Sequence, residues 1–538
     1  MKRLVWWLAL LLVACQPPQN WQEIVNLPTP LPRGGVLTYA LDEDLAVFQP
    51  WSLQNRAAEV VASLTQSGLT RLDVRGQPQP ELAESWQVDQ TGTVVTVTLR
   101  NDLLWSDGQS LSTNDVVYSY QALIALNLQT PLGRELTVIR EVVSTSPTIV
   151  EFRLNQPYSP VLTLWALPIL PRHVLAEQAL DAVNLRTLTV GAGPFVMSQI
   201  AENGEWQLVA NQNYHRGQPL FDGVNVRLNQ SSDALAVLQA SDEPFVIDTI
   251  QQVTGNESLQ SSYPLNTLLS VAFNMRAEKA MNSLPLRHEL IRLAELDGHF
   301  VQTQTQLLSV RQVTMPGNWL EVPELNTPKT AINEQLAQQG WQYDSTTQQL
   351  VRNGEPLRLT MVVQSENPQH DALAQFLTEK WQKVGIEITR VDVTRQQYLE
   401  RLITPYDFDV AIVEWAQGRS DARYADTLLY DPTAYWLFAS DEMNTGMPDT
   451  RGSLNVVGMN DEGYDMLYKS ALATYDMVGR LNAERNASIR ISDVAPYYFV
   501  ARQQRNVIRS ARLASINELP TFTTPWYLST IDVWYRLP

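Results

Sequence analysis

The residues best placed for chemistry follow a predicted buried strand, Phe408–Val413, which ends in Glu414-Trp415 and opens into the polar loop Ala416-Gln417-Gly418-Arg419-Ser420-Asp421. Tyr424 and Asp426 come shortly after, with Arg423 between the two aspartates. Carboxylates, guanidinium groups and an indole beyond the carboxyl end of a strand suit ligand capture, because open α/β sheets bind ligands at that edge. An enclosed aspartate pairs with an ammonium through charge-assisted hydrogen bonds. Arg419 or Arg423 suits a carboxylate, or neutralises the aspartates. Two readings compete with these: a solvated loop whose acids and bases pair with one another, and Trp415 as a core residue. A second acidic run, Asp42-Glu43-Asp44, follows the first predicted strand, Val36–Ala40. Glu43 there either faces a ligand or sits in a solvated turn.

Catalytic patterns are missing from the sequence. It contains no G-x-S-x-G elbow, no S-x-x-K and no phosphate-binding P-loop. His288-Glu289-Leu290-Ile291-Arg292 imitates a zinc-binding H-E-x-x-H but places Arg292 where the second ligand belongs. Gly191-Ala192-Gly193 lacks the third glycine of a dinucleotide loop, since Val196 holds that position. His173, His215, His288, His299 and His370 show no ligand spacing and read as surface or capping residues. No metal or cofactor is expected. Acidic residues are numerous enough that a glycosidase-like carboxylate pair stays open as an alternative, although no positive feature supports one.

The chain has 538 residues, 39 basic and 57 acidic, for a net charge of −18. That balance argues against nucleic-acid binding, which needs a concentrated basic surface. Forty-four per cent hydrophobic residues exclude a disordered polyanion. Lys2 and Arg3 precede an eleven-residue apolar run, Leu4–Ala14, and the polar stretch Gln16–Asn20 follows it. A charged start, a short apolar stretch and a small residue read as a secretory signal. The sole cysteine, Cys15, stands at the junction, and Leu12-Val13-Ala14-Cys15 resembles the bacterial lipobox. Cleavage before a diacylated Cys15 removes Lys2 and Arg3, so the charge becomes −18 − 2 = −20. Two acyl chains suffice for a stable anchor. Residues 15–33, with five prolines (17, 18, 28, 30 and 32), then form an extended tether.

Strand and helix patterns alternate beyond Gly34-Gly35, which argues an α/β fold with mostly parallel sheets. Expected strands include Val94–Leu99, Ile149–Leu154, Trp206–Ala210, Val224–Leu228, Leu269–Asn274, Leu357–Val363 and Ile386–Val391. Expected helices include Glu59–Gly68, Val116–Leu126 after a Thr113-Asn114-Asp115 cap, Leu175–Ala182, Arg287–Leu296, Asp371–Val384 and Tyr398–Ile403. Trp86, Trp105 and Trp165 are expected to be structural.

One block of residues, Leu82-Ala83-Glu84-Ser85-Trp86, Leu99-Arg100, Trp105-Ser106-Asp107-Gly108, Leu111 and Asp115-Val116-Val117-Tyr118-Ser119, resembles the signature of family 5 extracytoplasmic solute-binding proteins of ATP-binding-cassette importers. These are the dipeptide, oligopeptide and nickel-binding group. Weaker matches follow in order: Gly191-Ala192-Gly193-Pro194-Phe195; Asn213, Tyr214, Gly217, Pro219 and Asp222; Phe273-Asn274; Arg287 with Asp297; Gly340-Trp341; Gly385-Ile386; Phe408-Asp409; and Ala495-Pro496.

The resemblance implies an α/β, two-lobed periplasmic-binding-protein clamp with an additional third domain, its mixed sheets flanked by helices. Domain I would comprise 34–62, 189–272 and 488–538, domain II 63–188, and domain III 273–487. Ligand would lie between domains I and III, hinged near Phe273 and residue 487. By the same resemblance Trp415 and an aspartate, Asp421 before Asp426, would take the α-ammonium of a peptide. Relatives often carry a compact D-Y-x-D-P after the tryptophan, whereas here Asp421-Ala422-Arg423-Tyr424-Ala425-Asp426 precedes a more distant Asp431-Pro432. The implied function is capture of a solute, an oligopeptide ahead of a sugar or metal chelate, and its delivery to a membrane permease by a monomer anchored at the cell surface or in the periplasm. A lipid-anchored hydrolase and a chemosensory receptor subunit with the same clamp are the alternatives.

Overall fold

The computed structural model describes residues 32–538 except 44–47, 52–55, 129–130, 181–187, 229–235, 252–258, 296–299, 301–306, 311–328, 404–405, 418–429, 432–454, 517–518 and single positions 50, 237, 239, 241, 266, 521 and 538. Cys15, Arg419, Asp421, Tyr424 and Asp426 therefore lie outside the described residues, as do Asp44 and His299.

The chain enters through strand β1 (Val36–Leu41) and helix α1 (Arg56–Thr65). It then leaves for a compact insert built on an antiparallel sheet of β2 (Ala83–Val88), β3 (Val94–Leu99), β4 (Ile139–Ser146) and β5 (Ile149–Leu154), ordered β2-β3-β5-β4. Alternate residues of β3 and β5 are buried, the two-residue period of a sheet with one covered face. Helix α2 (Thr113–Ala125) starts earlier than expected. Ser112 is its N-cap, and the reciprocal Ser112–Asp115 capping box supplies the orphan first-turn groups. The insert's core holds Trp105 and Trp165, both fully buried, with Trp86 edge-on to Trp165 at 6.1 Å. Of the expected helix Leu175–Ala182, only Leu175 is helical among the described residues, at the end of the single turn Arg172–Leu175, and 181–182 lie outside them.

Back from the insert, the chain adds β6 (Phe195–Ile200), β7 (Trp206–Ala210), β8 (Gly223–Leu228), β9 (Phe245–Thr249) and β10 (Gln260–Pro264). It continues through β11 (Thr267–Phe273), α3 (Leu284–Glu295), β12 (Arg358–Gln364), α4 (Pro368–Gln382), β13 (Glu387–Val393), α5 (Arg395–Ile403) and β14 (Val410–Gln417). The short β15 (Tyr430–Asp431), the helices α6 (Glu462–Ala473) and α7 (Met477–Val494), and the long β16 (Tyr497–Arg509) complete it.

Among the described residues, one thirteen-stranded sheet carries the path β13-β12-β14-β11-β16-β9-β1-β8-β7-β6. It is mixed. β1 is parallel to β8 and β9, and β12 to β13 and β14, whereas β16 is antiparallel to β9, β10 and β11. The expectation of mostly parallel pairing is corrected: β7 is antiparallel to both β8 and β6, β14 is antiparallel to β11, and β16 runs back antiparallel through both halves. Its first residues pair with β11 (Ala272↔Tyr497, Leu269↔Ala501) and its last with β9 (Thr249↔Asn506, Val246↔Arg509). The sheet is thus two half-sheets joined where β16 crosses at Arg502–Gln503 and where the chain passes from Pro264 to Thr267. Strand β11 (Thr267-Leu268-Leu269-Ser270-Val271-Ala272-Phe273), buried at all seven positions, is covered on both faces. Leu269, Val271, Phe273, Leu286, Leu290, Leu359, Met361, Leu377 and Trp381 pack α3 and α4 onto the second half-sheet in a core of their own.

Candidate functional site

Strand direction brings a site to the crossover. In the first half-sheet β1 and β9 run with their carboxyl ends toward it, since Thr249 lies opposite Asn506, close to the crossing segment of β16. In the second half-sheet β14 also ends there, with Ala416 opposite Thr267. The carboxyl ends of two α/β half-sheets therefore face one shared boundary, the edge at which such sheets bind ligands.

Strand β14 runs four residues further than expected, to Gln417, so Glu414 and Trp415 lie within the strand. Trp415 pairs in register with Leu268, next to the crossover. At the end of the strand, Gln417 lies beside Asp431 and Ala416 beside Tyr430 in parallel register. The segment that carries Arg419, Asp421, Tyr424 and Asp426 thus leaves from and returns to this edge, although those four residues are outside the described ones.

On the first half-sheet the edge is built from charge. Asp42 and Glu43 extend β1, and Asp248 is the penultimate residue of β9. Arg505, fully buried on β16, is held by all three: Nε donates to Asp248 Oδ1 at 2.6 Å, Nη1 to Glu43 Oε1 at 2.7 Å and Nη2 to Asp42 Oδ1 at 2.5 Å. Such an aligned guanidinium is a strong, direction-fixing partner for carboxylates. Glu43 Oε2 accepts from the backbone N–H of Arg56 at 2.9 Å, so this carboxylate also satisfies the start of α1. Asp42 Oδ2 accepts from Thr249 Oγ1 at 2.8 Å and Ile250 N at 2.7 Å. The solvated turn is thereby corrected: Asp42 and Glu43 are 6% and 18% exposed and stitch three elements together.

Asp248 is the hub. It also accepts from Arg56 Nε at 3.0 Å and from the hydroxyls of Tyr39, Tyr263 and Tyr527 at 3.1, 2.9 and 2.8 Å. Burial alone would raise its pKa, but the Arg505 and Arg56 guanidinium groups and their hydrogen bonds hold it well below the usual carboxylate range. Burial pushes the three phenols far above their ordinary value, with Asp248 adding to the shift, so they stay protonated and serve as donors. Arg56 donates in addition to Glu59 at 2.9 Å and to the Pro525 carbonyl at 3.1 Å, which ties the C-terminal segment to the same hub.

On the second half-sheet, His370 sits in the first turn of α4, just past the carboxyl end of β12. It is 2% exposed, and neither ring nitrogen has a hydrogen-bond partner among the described residues. Burial pulls its pKa down to about 4, so the ring is neutral near pH 7. Its neighbour Gln369 accepts from Gln503 Nε2 at 3.2 Å, which places this turn against the crossing segment of β16. Arg502, also in that segment, is fully buried, and burial pushes it down to about 9.

The surface or capping expectation for the histidines is therefore corrected at two positions. His370 is buried, and so is His215, which lies 3.4 Å from Glu81 and is pulled down to about 3 by burial and by Arg100, Arg216 and Arg71. Arg292, in the H-E-x-x-R run, pairs with Glu289 at 2.5 Å. Among the described residues no three His, Cys, Asp or Glu side chains converge as a metal site, and no helix is long and apolar enough to cross a membrane. Sequence reasoning missed Asp248, Arg505, Arg56 and the three tyrosines. The available signal was one charge at the end of an apolar strand, Phe245-Val246-Ile247-Asp248.

Known proteins resemble this chain along nearly its full length. The oligopeptide-binding protein AppA of Bacillus subtilis is 22% identical over 513 residues, covering 92% of this chain and 91% of its own. A probable deoxycholate-binding periplasmic protein of Escherichia coli, YgiS, is 24% identical over 536 residues, covering 92% of each. Among solved structures, HbpA2 from Haemophilus parasuis superposes with a TM-score of 0.74 at 17% identity, over 94% of this chain and 100% of that one. AppA in complex with a nonapeptide superposes at 0.60 and 19% identity, over 94% and 99%. At these identities the superpositions establish the fold. The sequence over residues 77–435 matches the model of the bacterial extracellular solute-binding proteins, family 5, and the chain belongs to that family.

Proposed function

We propose that this protein captures an oligopeptide at the boundary between its two half-sheets, closes on it and delivers it unaltered to an ATP-binding-cassette permease. The observation that carries this reading is the convergence of β1, β9 and β14 on one boundary crossed by only two described chain segments. Two segments make a hinge, and closure about such a hinge is an established mode of ligand capture. Trp415, Asp421, Arg419, Tyr424 and Asp426 supply the ligand-facing groups of the second lobe, with Asp421 taking the peptide ammonium. His370, whose two ring nitrogens have no partner among the described residues, lies on the same side. Glu43 acts by fixing Arg505 and the start of α1. Peptide rather than bile acid is chosen because extended backbone finds hydrogen-bonding partners at strand ends, and because a relative of full-length similarity is named for oligopeptides. The protein is a monomer, held outside the cytoplasm by lipid on Cys15.

The test is thermal melting of the mature chain against a mixed nonapeptide library, with mass spectrometry of the peptides afterwards. A saturable rise in melting temperature is expected, since ligand at a hundred times Kd adds about 2.7 kcal/mol, with peptides recovered intact. Cleaved peptides, or stabilisation by deoxycholate and not by peptide, would overturn the reading. Cys15→Ser is expected to release the protein from membranes into the soluble fraction.

A further inference from the structure

We propose that Tyr475 and Ser159 form a closure clasp that sets ligand affinity without touching ligand, an inference that rests on the two-lobed clamp reading. The insert leaves and re-enters the first half-sheet, between α1 and β6, whereas α6 and α7 lead from the second half-sheet into β16. These two bodies meet through buried side chains, Tyr158, Ala471 and Leu472 among them, and through hydrogen bonds concentrated on a few residues.

The carboxyl end of α6 explains the contact. Its last-turn carbonyls have no intrahelical partner, and the following residue, Thr474, is extended rather than forming a glycine-type cap. Ser159 of the insert satisfies two of them. Its N–H donates to the Leu472 carbonyl at 2.7 Å and its Oγ to the Ala471 carbonyl at 3.0 Å. Tyr475 reaches back: its hydroxyl accepts from Tyr158 N at 3.1 Å and donates to the Gly92 carbonyl at 2.9 Å. Burial pushes the Tyr475 phenol up to about 12, so this donor persists across the physiological pH range. Gly92 has φ +71°, and a Cβ there would lie 3.1 Å from Pro157 and 3.5 Å from the Tyr475 ring, so glycine lets the turn pass beneath the phenol. Arg480 of α7 adds a bond to Gln77 at 2.7 Å.

The cap is supplied by a different body from the one that owns the helix. These hydrogen bonds are individually weak once exchange with water is counted, so they can break and re-form as the lobes part. Because apparent affinity scales with the closed fraction, each bond made only in the closed form lowers the apparent Kd by up to about fivefold, and removing it raises the Kd by as much.

Native-state hydrogen exchange on the full mature chain tests the clasp without ligand. The reporter is the Ser159 amide, which bonds Leu472 and not Tyr475. In the ligand-free protein it is expected to exchange at least tenfold faster than the Val95 and Phe152 amides of the insert's own sheet, through an opening short of global unfolding. Tyr475→Phe is expected to speed Ser159 exchange about fivefold and leave Val95 unchanged, with Ser159→Ala raising Tyr158 exchange likewise. If Ser159 exchanges only with Val95, or if Tyr475→Phe leaves Ser159 unmoved, the interface is fixed and the clasp is overturned. A mixed nonapeptide library is then added. Slower Ser159 exchange joins the clasp to ligand capture, whereas unchanged exchange after a ligand-free opening has been seen leaves the clasp standing and overturns the peptide reading.

Discussion

Asp248→Asn is the sharpest perturbation of the charged edge. Asp248 is fully buried and, among the described contacts, accepts from the guanidinium groups of both Arg56 and Arg505. Replacing one carboxylate oxygen by an amide N–H turns a donor toward guanidinium and phenol donors and leaves two buried cations short of charge. Removing one member of a buried ion pair costs about 3–5 kcal/mol. Arg505 keeps Asp42 and Glu43, and Arg56 keeps Glu59, which puts the expected loss at the lower end, about 3 kcal/mol. At roughly 2–4 °C per kcal/mol for a unit of about 200 residues, the melting midpoint falls by about 6–12 °C. The pH dependence gives an independent check. A carboxylate whose folded pKa lies below its unfolded value stabilises the fold fully above the unfolded value, about 3.9, and loses that contribution only as pH falls toward the folded one. The difference between wild type and Asp248→Asn is therefore constant from pH 7 to 5 and shrinks only below about 4. Thermal melts of both proteins at pH 7, 5 and 3.5 supply the comparison. A loss under about 1 kcal/mol, the worth of a surface pair, or a difference that already closes between pH 7 and 5, would refute the argument.

The remaining expectations are briefer. His370 and His215 have folded pKa values of about 4 and about 3, below the unfolded value, so the unfolded chain takes up the proton first and stability falls as pH drops from about 6.5. His370→Phe is expected to reduce the stability lost between pH 7 and 5 by about 2 kcal/mol, and an unchanged loss in urea titrations would remove His370 from that effect. Ser112→Ala breaks the capping box of α2 and is expected to cost about 1 kcal/mol, read from the urea midpoint. Asp421→Asn is expected to weaken nonapeptide binding more than Asp426→Asn, with calorimetry on both variants deciding, and equal affinities removing Asp421 from the ammonium site.

The fold was legible where local pattern and tertiary environment agree. β3 matches its expected bounds because β-branched residues alternate there with a two-residue period, and α4 is found close to its expected place because apolar residues recur at helical spacing. Boundaries moved where caps decide them. Ser112, rather than Thr113, caps α2, and Asn367 caps α4 ahead of Pro368. Strand β14 outran its expected end because Glu414 and Trp415 look like a loop entrance in sequence, yet their backbones pair with Leu269 and Leu268.

The charged edge was illegible for a different reason. Arg505 reads as a solvent-facing base in Gln503-Gln504-Arg505-Asn506, and nothing local says that it is fully buried. Its partners come from positions 42, 43 and 248, so the burial becomes affordable only when three distant segments meet. This also explains why such costly chemistry sits at the crossover. Strands that end at a shared boundary present unpaired carbonyls and N–H groups there, and an apolar filling would leave them unsatisfied. A guanidinium held by carboxylates on β1 and β9 satisfies Asp248's own carbonyl as well, through Nη2 at 2.9 Å, and so closes the first half-sheet while leaving its edge polar.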